Sequence, residues 1–255
     1  MFVFKEIEKN NNLIEDGEYI DINNHITQNT IFTSGHIPCG LYIKDFFDKD
    51  IFNKEVIKTL TKPIKTHQNR GQIAGRIDKS RLFPSYHKYL NEDTKFNSSY
   101  TRVQKSENCK YAFSNNMKYA VINEKKEYYK NNKNYIDTVL SPIVKQINKI
   151  GKQYLDMPLQ NQIFGSFNEV IINRSTISAT HRDYNNKSNM SALVSLSLDN
   201  KLDVSYLGLP DLDISIPMIS GRSLLLFDLK NNRHSNNHIP SDKLDGRVSL
   251  VFYNK

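Results

Sequence analysis

The feature that most constrains this chain is a change of texture after Pro158. From there to the C-terminus, short apolar runs are separated by turn residues: Ile163 to Ile172, Ala192 to Leu198, Val204 to Leu209, Leu212 to Ile216, Ser223 to Phe227 and Val248 to Tyr253. Each is strand-length and rich in Val, Ile, Leu, Ser, Phe or Tyr, the composition of a pleated strand. Evenly spaced short strands predict a jelly-roll type sandwich. No window approaches the roughly 18 consecutive apolar residues of a membrane-spanning helix.

Upstream of Pro158 the clearest element is helical. Ile136, Val139, Leu140, Ile143, Val144, Ile147, Ile150 and Tyr154 recur at helical spacing, which predicts one amphipathic helix that starts or kinks at Pro142. The segment Ile43 to Leu60 has mixed three- and four-residue apolar steps and predicts one or two short helices. Lys126 to Tyr135 reads as a solvated linker or helix start. Asn69 to Arg81 carries two glycines and three arginines and reads as a loop, either over something anionic or simply at the surface. The expected organisation is one domain over 1–255, with an irregular, helical half over 1–130 and a helix plus jelly-roll core over 131–255.

Composition narrows the class. The 255 residues are 38% hydrophobic and 11% aromatic, which argues for a packed core and against disorder. A formal charge of +8 favours polyanionic partners, although a lysine-rich solvated surface gives the same number. Two cysteines, Cys39 and Cys109, provide neither a disulfide framework nor paired thiolates for zinc. A reducing, intracellular compartment, nuclear or cytoplasmic, is expected. The opening MFVFKEIEKN does not read as a signal peptide.

Of seven histidines, His181 alone has an aspartate two places on. Such a pair arises by chance in roughly one of two chains of this composition, so it says little alone. Its setting says more. In extended chain, residues i and i+2 share a face, so His181 and Asp183 can converge on one ion. His234 follows the apolar run RSLLLFD beyond three further strand candidates and supplies the third ligand. His238, four residues on, is the competing choice. Two imidazoles and a carboxylate leave three positions of an octahedral ion open, as non-haem Fe(II) oxygenases require; spacing alone leaves zinc open as well. Arg247 and Ser249 open the last strand candidate, RVSLVFY, two residues apart and hence on one face. A guanidinium pairs bidentately with a carboxylate and a hydroxyl adds a further bond, which suits the distal carboxylate of 2-oxoglutarate. An arginine closing a surface salt bridge is the bland alternative.

The segments THRDYNNKSNMSALVSLSL (Thr180 to Leu198) and HSNNHIPSDKLDGRVSLVFYNK (His234 to Lys255) resemble the iron-binding segment and the final strand of the TET/JBP oxygenases, which oxidise the methyl group of 5-methylpyrimidines in nucleic acid. The resemblance covers about residues 160–255. It implies a mainly β fold, with a double-stranded β-helix (jelly-roll) oxygenase core braced by N-terminal helices. It implies Fe(II) on His181, Asp183 and His234, with 2-oxoglutarate as co-substrate on Arg247 and Ser249. The expected activity is hydroxylation of the methyl group of 5-methylcytosine or thymine in DNA. Asn186 falls where the family places an asparagine near the target base, and Tyr253 where an aromatic ring stacks on it. Arg70, Arg76 and Arg81 are candidate phosphate contacts. Lys255 stands where animal members carry a base-contacting histidine, and neither the Gly-Gly turn of the broader fold nor the cysteine-rich zinc region is found. Two rival readings stay open: the same chemistry on RNA, a protein side chain or a small molecule, and a non-catalytic nucleic-acid-binding module.

Overall fold

A computed structural model describes residues 1–8, 22–48, 50–61, 65–66, 104–106, 109–111, 118–122, 125–157, 165–174, 180–184, 186–188, 190–198, 202–236 and 246–254. In chain order the elements are β1 (Val3–Glu6), β2 (Thr30–Ser34), β3 (Ile37–Ile43), α1 (Lys54–Thr61), β4 (Lys65–Thr66), β5 (Gln104–Ser106), β6 (Cys109–Tyr111), β7 (Lys118–Ile122), α2 (Glu127–Asn131), α3 (Lys133–Leu155), β8 (Glu169–Arg174), β9 (Ser191–Ser197), β10 (Val204–Leu209), a 3-10 turn (Pro210–Leu212), β11 (Ile214–Ile219), β12 (Leu224–Phe227), β13 (Ser235–Asn236) and β14 (Arg247–Tyr253). Nine strands form one sheet in the order β1-β2-β3-β12-β9-β14-β8-β7-β4; β11-β10-β13 form a second, and β5 pairs with β6. This is the expected jelly-roll sandwich, one large mixed sheet facing a small antiparallel one.

Period-two patterning sorts the side chains of the large sheet between two cores. On β14, Val248, Leu250 and Phe252 join Val170 and Ile172 of β8, Ala192, Val194 and Leu196 of β9, and the buried stripe of α3, Ile136, Leu140, Ile143, Val144 and Ile147. The opposite face contributes Phe32, Tyr42, Leu193, Leu225 and Phe227 to a second core against Leu207, Leu209, Ile214, Ile216 and Met218 of the small sheet. Tyr42 ties the layers together, its hydroxyl donating to the Pro217 carbonyl at 2.6 Å. Each fully buried large apolar side chain contributes about 1.5–3 kcal/mol.

Several boundaries differ from those expected. Helix α3 runs through Pro142; the stripe on either side is long enough to carry the helix across one lost bond. It closes at Asp156, in the left-handed region (φ 49), where the Met157 N–H reaches back to the Gly151 carbonyl at 3.3 Å. Ile43 ends β3 rather than starting a helix, and only Lys54–Thr61 is helical, capped by the Asn53 side chain accepting from the Val56 N–H at 3.0 Å. Strand β11 starts at Ile214, because Pro210–Leu212 forms a tight turn that Asp213 closes at positive φ. The first 130 residues supply β1, β2, β3, β4 and β7 to the large sheet, more strand than the irregular, helical half expected there. Among the described residues no helix is long and apolar enough to cross a membrane.

Candidate metal centre

His181 and His234 meet as direct antiparallel partners. The His181 N–H donates to the His234 carbonyl at 3.0 Å, and the His234 N–H returns to the His181 carbonyl at 2.9 Å. Residues that exchange both bonds have side chains on the same face, and the two rings lie 4.2 Å apart between centroids. Asp183, two residues on, is fixed by its N–H donating to the Leu229 carbonyl at 2.9 Å. Its oxygens sit 3.9 Å from His181 Nε2 and 4.0 Å from His234 Nε2. One ligand atom from each of the three lies within 4.8 Å of the others. Adjacent ligands of an octahedral ion at about 2.1 Å lie about 3 Å apart, so the trio is open by about 1 Å at the two carboxylate contacts and by no more than about 2 Å anywhere.

Burial and tautomer suit a metal. His181 and His234 are 7% and 6% exposed, while the Asp183 side chain keeps a partial opening to solvent. His234 Nδ1 lies 3.4 Å from the Asn232 carbonyl oxygen, which places the proton on Nδ1 and leaves Nε2 as the ligand atom. His238, the competing ligand, lies outside the described residues.

Arg247 and Ser249 lie on the inner face of β14, in register with Ser197 and Ser195 of β9. They line a narrow cavity of about 10 Å³ between the sheets, roughly the space of one water molecule, whose walls include Ser195, Ser205, Leu207 and Asn236. Asn236, on β13, follows His234 by two residues, so the segment that leads out of the distal histidine also walls the cavity. The Ser249 hydroxyl accepts from the Asn173 side chain at 3.3 Å, which leaves its own proton to donate. Arg247 is 7% exposed, so it does not close a salt bridge in open solvent.

Asn186 and Tyr253 are placed differently from a base-reading pair. The Asn186 side chain donates to the Ser191 hydroxyl at 3.0 Å and to the Met190 carbonyl, and accepts from the Ser188 and Asn254 N–H groups. With 1% exposure, it staples the loop after Asp183 to the start of β9 and the end of β14. The Tyr253 hydroxyl donates to the buried Glu169 carboxylate, and its ring is 8% exposed. Arg70, Arg76, Arg81 and Lys255 lie outside the described residues.

Sequence reasoning missed Asp211. Its carboxylate, 6% exposed, sits in the turn after β10 and accepts from the Arg233 N–H at 2.9 Å and the Arg233 guanidinium at 2.7 Å. Arg182 approaches it to 3.6 Å. Burial works to raise this carboxyl, but the Arg233 bonds and the two guanidinium charges outweigh it and hold it below the usual carboxylate range. An aspartate in a Pro-Asp-Leu turn carries no periodic signal.

No protein-family model and no curated protein matches this chain. Among solved structures, NgTET1 in complex with 5mC DNA aligns over 100% of this chain and 81% of its own at 13% identity, with a TM-score of 0.44. OsALKBH1 aligns over 85% and 98% at 12% identity and 0.43, and a Pseudomonas putida prolyl-4-hydroxylase over 55% and 72% at 16% and 0.34. Likenesses this loose assign neither activity nor substrate.

Proposed function

We propose that this chain is an Fe(II)- and 2-oxoglutarate-dependent dioxygenase that hydroxylates the methyl group of a 5-methylpyrimidine, 5-methylcytosine or thymine, in DNA. The observation that carries the proposal is the convergence of His181, Asp183 and His234 within 4.8 Å, with His234 two residues before Asn236, which walls the cavity that Arg247 and Ser249 line. The donor set suits Fe(II). Two imidazoles and one carboxylate leave room for a chelating 2-oxo acid and dioxygen, whereas structural zinc sites close with four protein ligands. No fourth histidine, cysteine or carboxylate joins the trio among the described residues.

The protein's part is placement and exclusion of water. His181 and His234 would hold the ion through Nε2, with the Asn232 carbonyl fixing the second ring. Arg247 would take the distal carboxylate of 2-oxoglutarate with two parallel N–H donors, and Ser249 would add a hydroxyl. Leu193, Leu207 and Met218 keep the cavity wall apolar, which strengthens those charged contacts. When bound, iron, 2-oxoglutarate and dioxygen supply the oxidation, in which the 2-oxo acid becomes succinate and CO2 and one oxygen atom enters the substrate C–H bond.

The substrate half of the reading is supported by HRDYNN and RVSLVFY and by a net charge of +8, which suits a polyanion. A methyl group inside a duplex is out of reach, so the target base must leave the stack. One observation favours a second reading, the same chemistry on RNA, a protein side chain or a small molecule: the Asn186 amide and the Tyr253 hydroxyl are both engaged within the protein.

The test incubates the protein with 5-methylcytosine- and thymine-containing DNA, Fe(II) and 2-oxoglutarate, then measures nucleosides by mass spectrometry and succinate in parallel. A hydroxymethyl nucleoside matched by succinate supports the proposal. Succinate without a modified nucleoside moves the substrate to the second reading. Failure of the anaerobic protein to develop a metal-to-ligand charge-transfer band with Fe(II) and 2-oxoglutarate overturns the oxygenase altogether.

A further inference from the structure

Three residues from three segments meet on the far side of the histidine pair. Arg182 stands between His181 and Asp183, Arg233 immediately precedes His234, and Asp211 comes from the turn joining β10 to β11. One carboxylate oxygen of Asp211 accepts the Arg233 backbone N–H at 2.9 Å and the other its guanidinium at 2.7 Å. The Arg182 guanidinium reaches the same carboxylate at 3.6 Å and also donates to the Tyr184 hydroxyl at 3.2 Å. In extended chain, neighbouring residues point to opposite faces. A clamp on Arg182 and Arg233 therefore fixes the backbone twist that aims His181 and His234 the other way.

We propose that Asp211 is a positioning residue for the metal site, holding both histidine-bearing segments at the spacing an ion requires. The inference rests on the reading of His181, Asp183 and His234 as metal ligands and deepens it. The backbone bond to Arg233 is the informative one. A surface ion pair could form with the side chain alone, but this carboxylate grips the main chain one residue before a ligand. Two mutual hydrogen bonds hold His181 to His234, and the two residues after His234 pair with β10, so the pair is held on one side of the distal histidine and Asp211 grips the residue on the other. Asp211 adds a second tie to the small sheet, from the turn that follows β10.

The test uses the full chain and Co(II), which takes nitrogen and oxygen ligands as iron does and reports its geometry in its visible absorption. Asp211→Asn keeps the shape and removes the charge. It should bind Co(II) about 10- to 100-fold more weakly, the range seen when groups that orient metal ligands are replaced, with a changed absorption envelope. Ile143→Ala, in the helix-side core, loosens the fold without touching the clamp and should keep wild-type affinity and spectrum while folded. If Asp211→Asn does not fold, Arg182→Gln, which removes only the more distant partner, should still weaken Co(II) several-fold. Wild-type affinity in folded Asp211→Asn, or in Arg182→Gln when it is the decisive variant, overturns the proposal. An equal loss in Ile143→Ala also overturns it, because general loosening would then suffice. Absence of Co(II) binding by the wild-type protein instead overturns the metal reading beneath it.

Discussion

Replacing Arg247 by lysine tests the co-substrate pocket more sharply than deleting it. Lysine keeps the positive charge and most of the length but has no planar fork, so one of two parallel bonds to a carboxylate is lost. Arg247 is 7% exposed between β9 and the small sheet, so the loss is not masked by solvent as at a surface pair. A hydrogen bond to a charged group contributes about 1.5–3 kcal/mol. At about 1.4 kcal/mol per factor of ten, 2-oxoglutarate should bind roughly 10- to 150-fold more weakly. Pyruvate supplies the control, since it has the same 2-oxo acid head and no distal carboxylate. In anaerobic titrations of the Fe(II)-loaded protein, followed by charge-transfer absorbance, Arg247→Lys should cut affinity for 2-oxoglutarate and leave that for pyruvate unchanged. The cycle isolates the pairing of one side chain with one carboxylate. Equal weakening of both acids would mean that the substitution merely disturbs the cavity. An unchanged 2-oxoglutarate affinity would remove Arg247 from the site.

The remaining predictions concern other parts of the molecule. Phe252→Ala, at a fully buried position between α3 and the large sheet, should cost about 3–5 kcal/mol in urea unfolding; a cost below 1 kcal/mol would contradict the packing. Cys39 has its thiol pushed up to about 11 by burial first, with the Glu6 and Asp228 carboxylates adding to the shift. At pH 8 peptide mapping should find it alkylated far more slowly than a free cysteine, which with an ordinary value of about 8.5 is roughly one quarter thiolate there, and a rate equal to the free thiol's would refute this. Because Asp211 is held below its ordinary value of 3.8, its ionised form stabilises the fold above that pH, and the contribution is lost as pH falls through the lower folded value. The stability gap between wild type and Asp211→Asn should therefore narrow on acidification below about pH 4; a gap constant from pH 7 to pH 2 would show that Asp211 is not a charged anchor.

How much of this architecture was legible depended on what each segment had to satisfy. β9, β10, β12 and β14 were read nearly to the residue, because each is an uninterrupted run bounded by turn residues. β3 was not. Its sequence, IPCGLYI, carries a proline and a glycine that usually demote a strand. Both are tolerated because Pro38 sits near the strand's start and a side chain on Gly40 would run into the Phe227 ring. Cross-strand packing against Phe227, the partner of Gly40 on β12, decides that position, and no single segment reveals it. The site divides the same way. His181 and Asp183 were visible as a pair because they stand two residues apart in one short segment, although that segment forms a single bridge and not a strand. Their approach to His234 is a cross-strand event, and only the ordered set ending in Arg247 and Ser249 made it readable. Asn186 shows where likeness of sequence and physical role part. An asparagine at that position was expected to read a base, yet its amide spends its donors and acceptors closing a loop against β9 and the end of β14. A residue that fixes the loop carrying Asp183 can be as constrained as one that touches substrate. Position in a motif does not separate the two roles; the partners of its amide do.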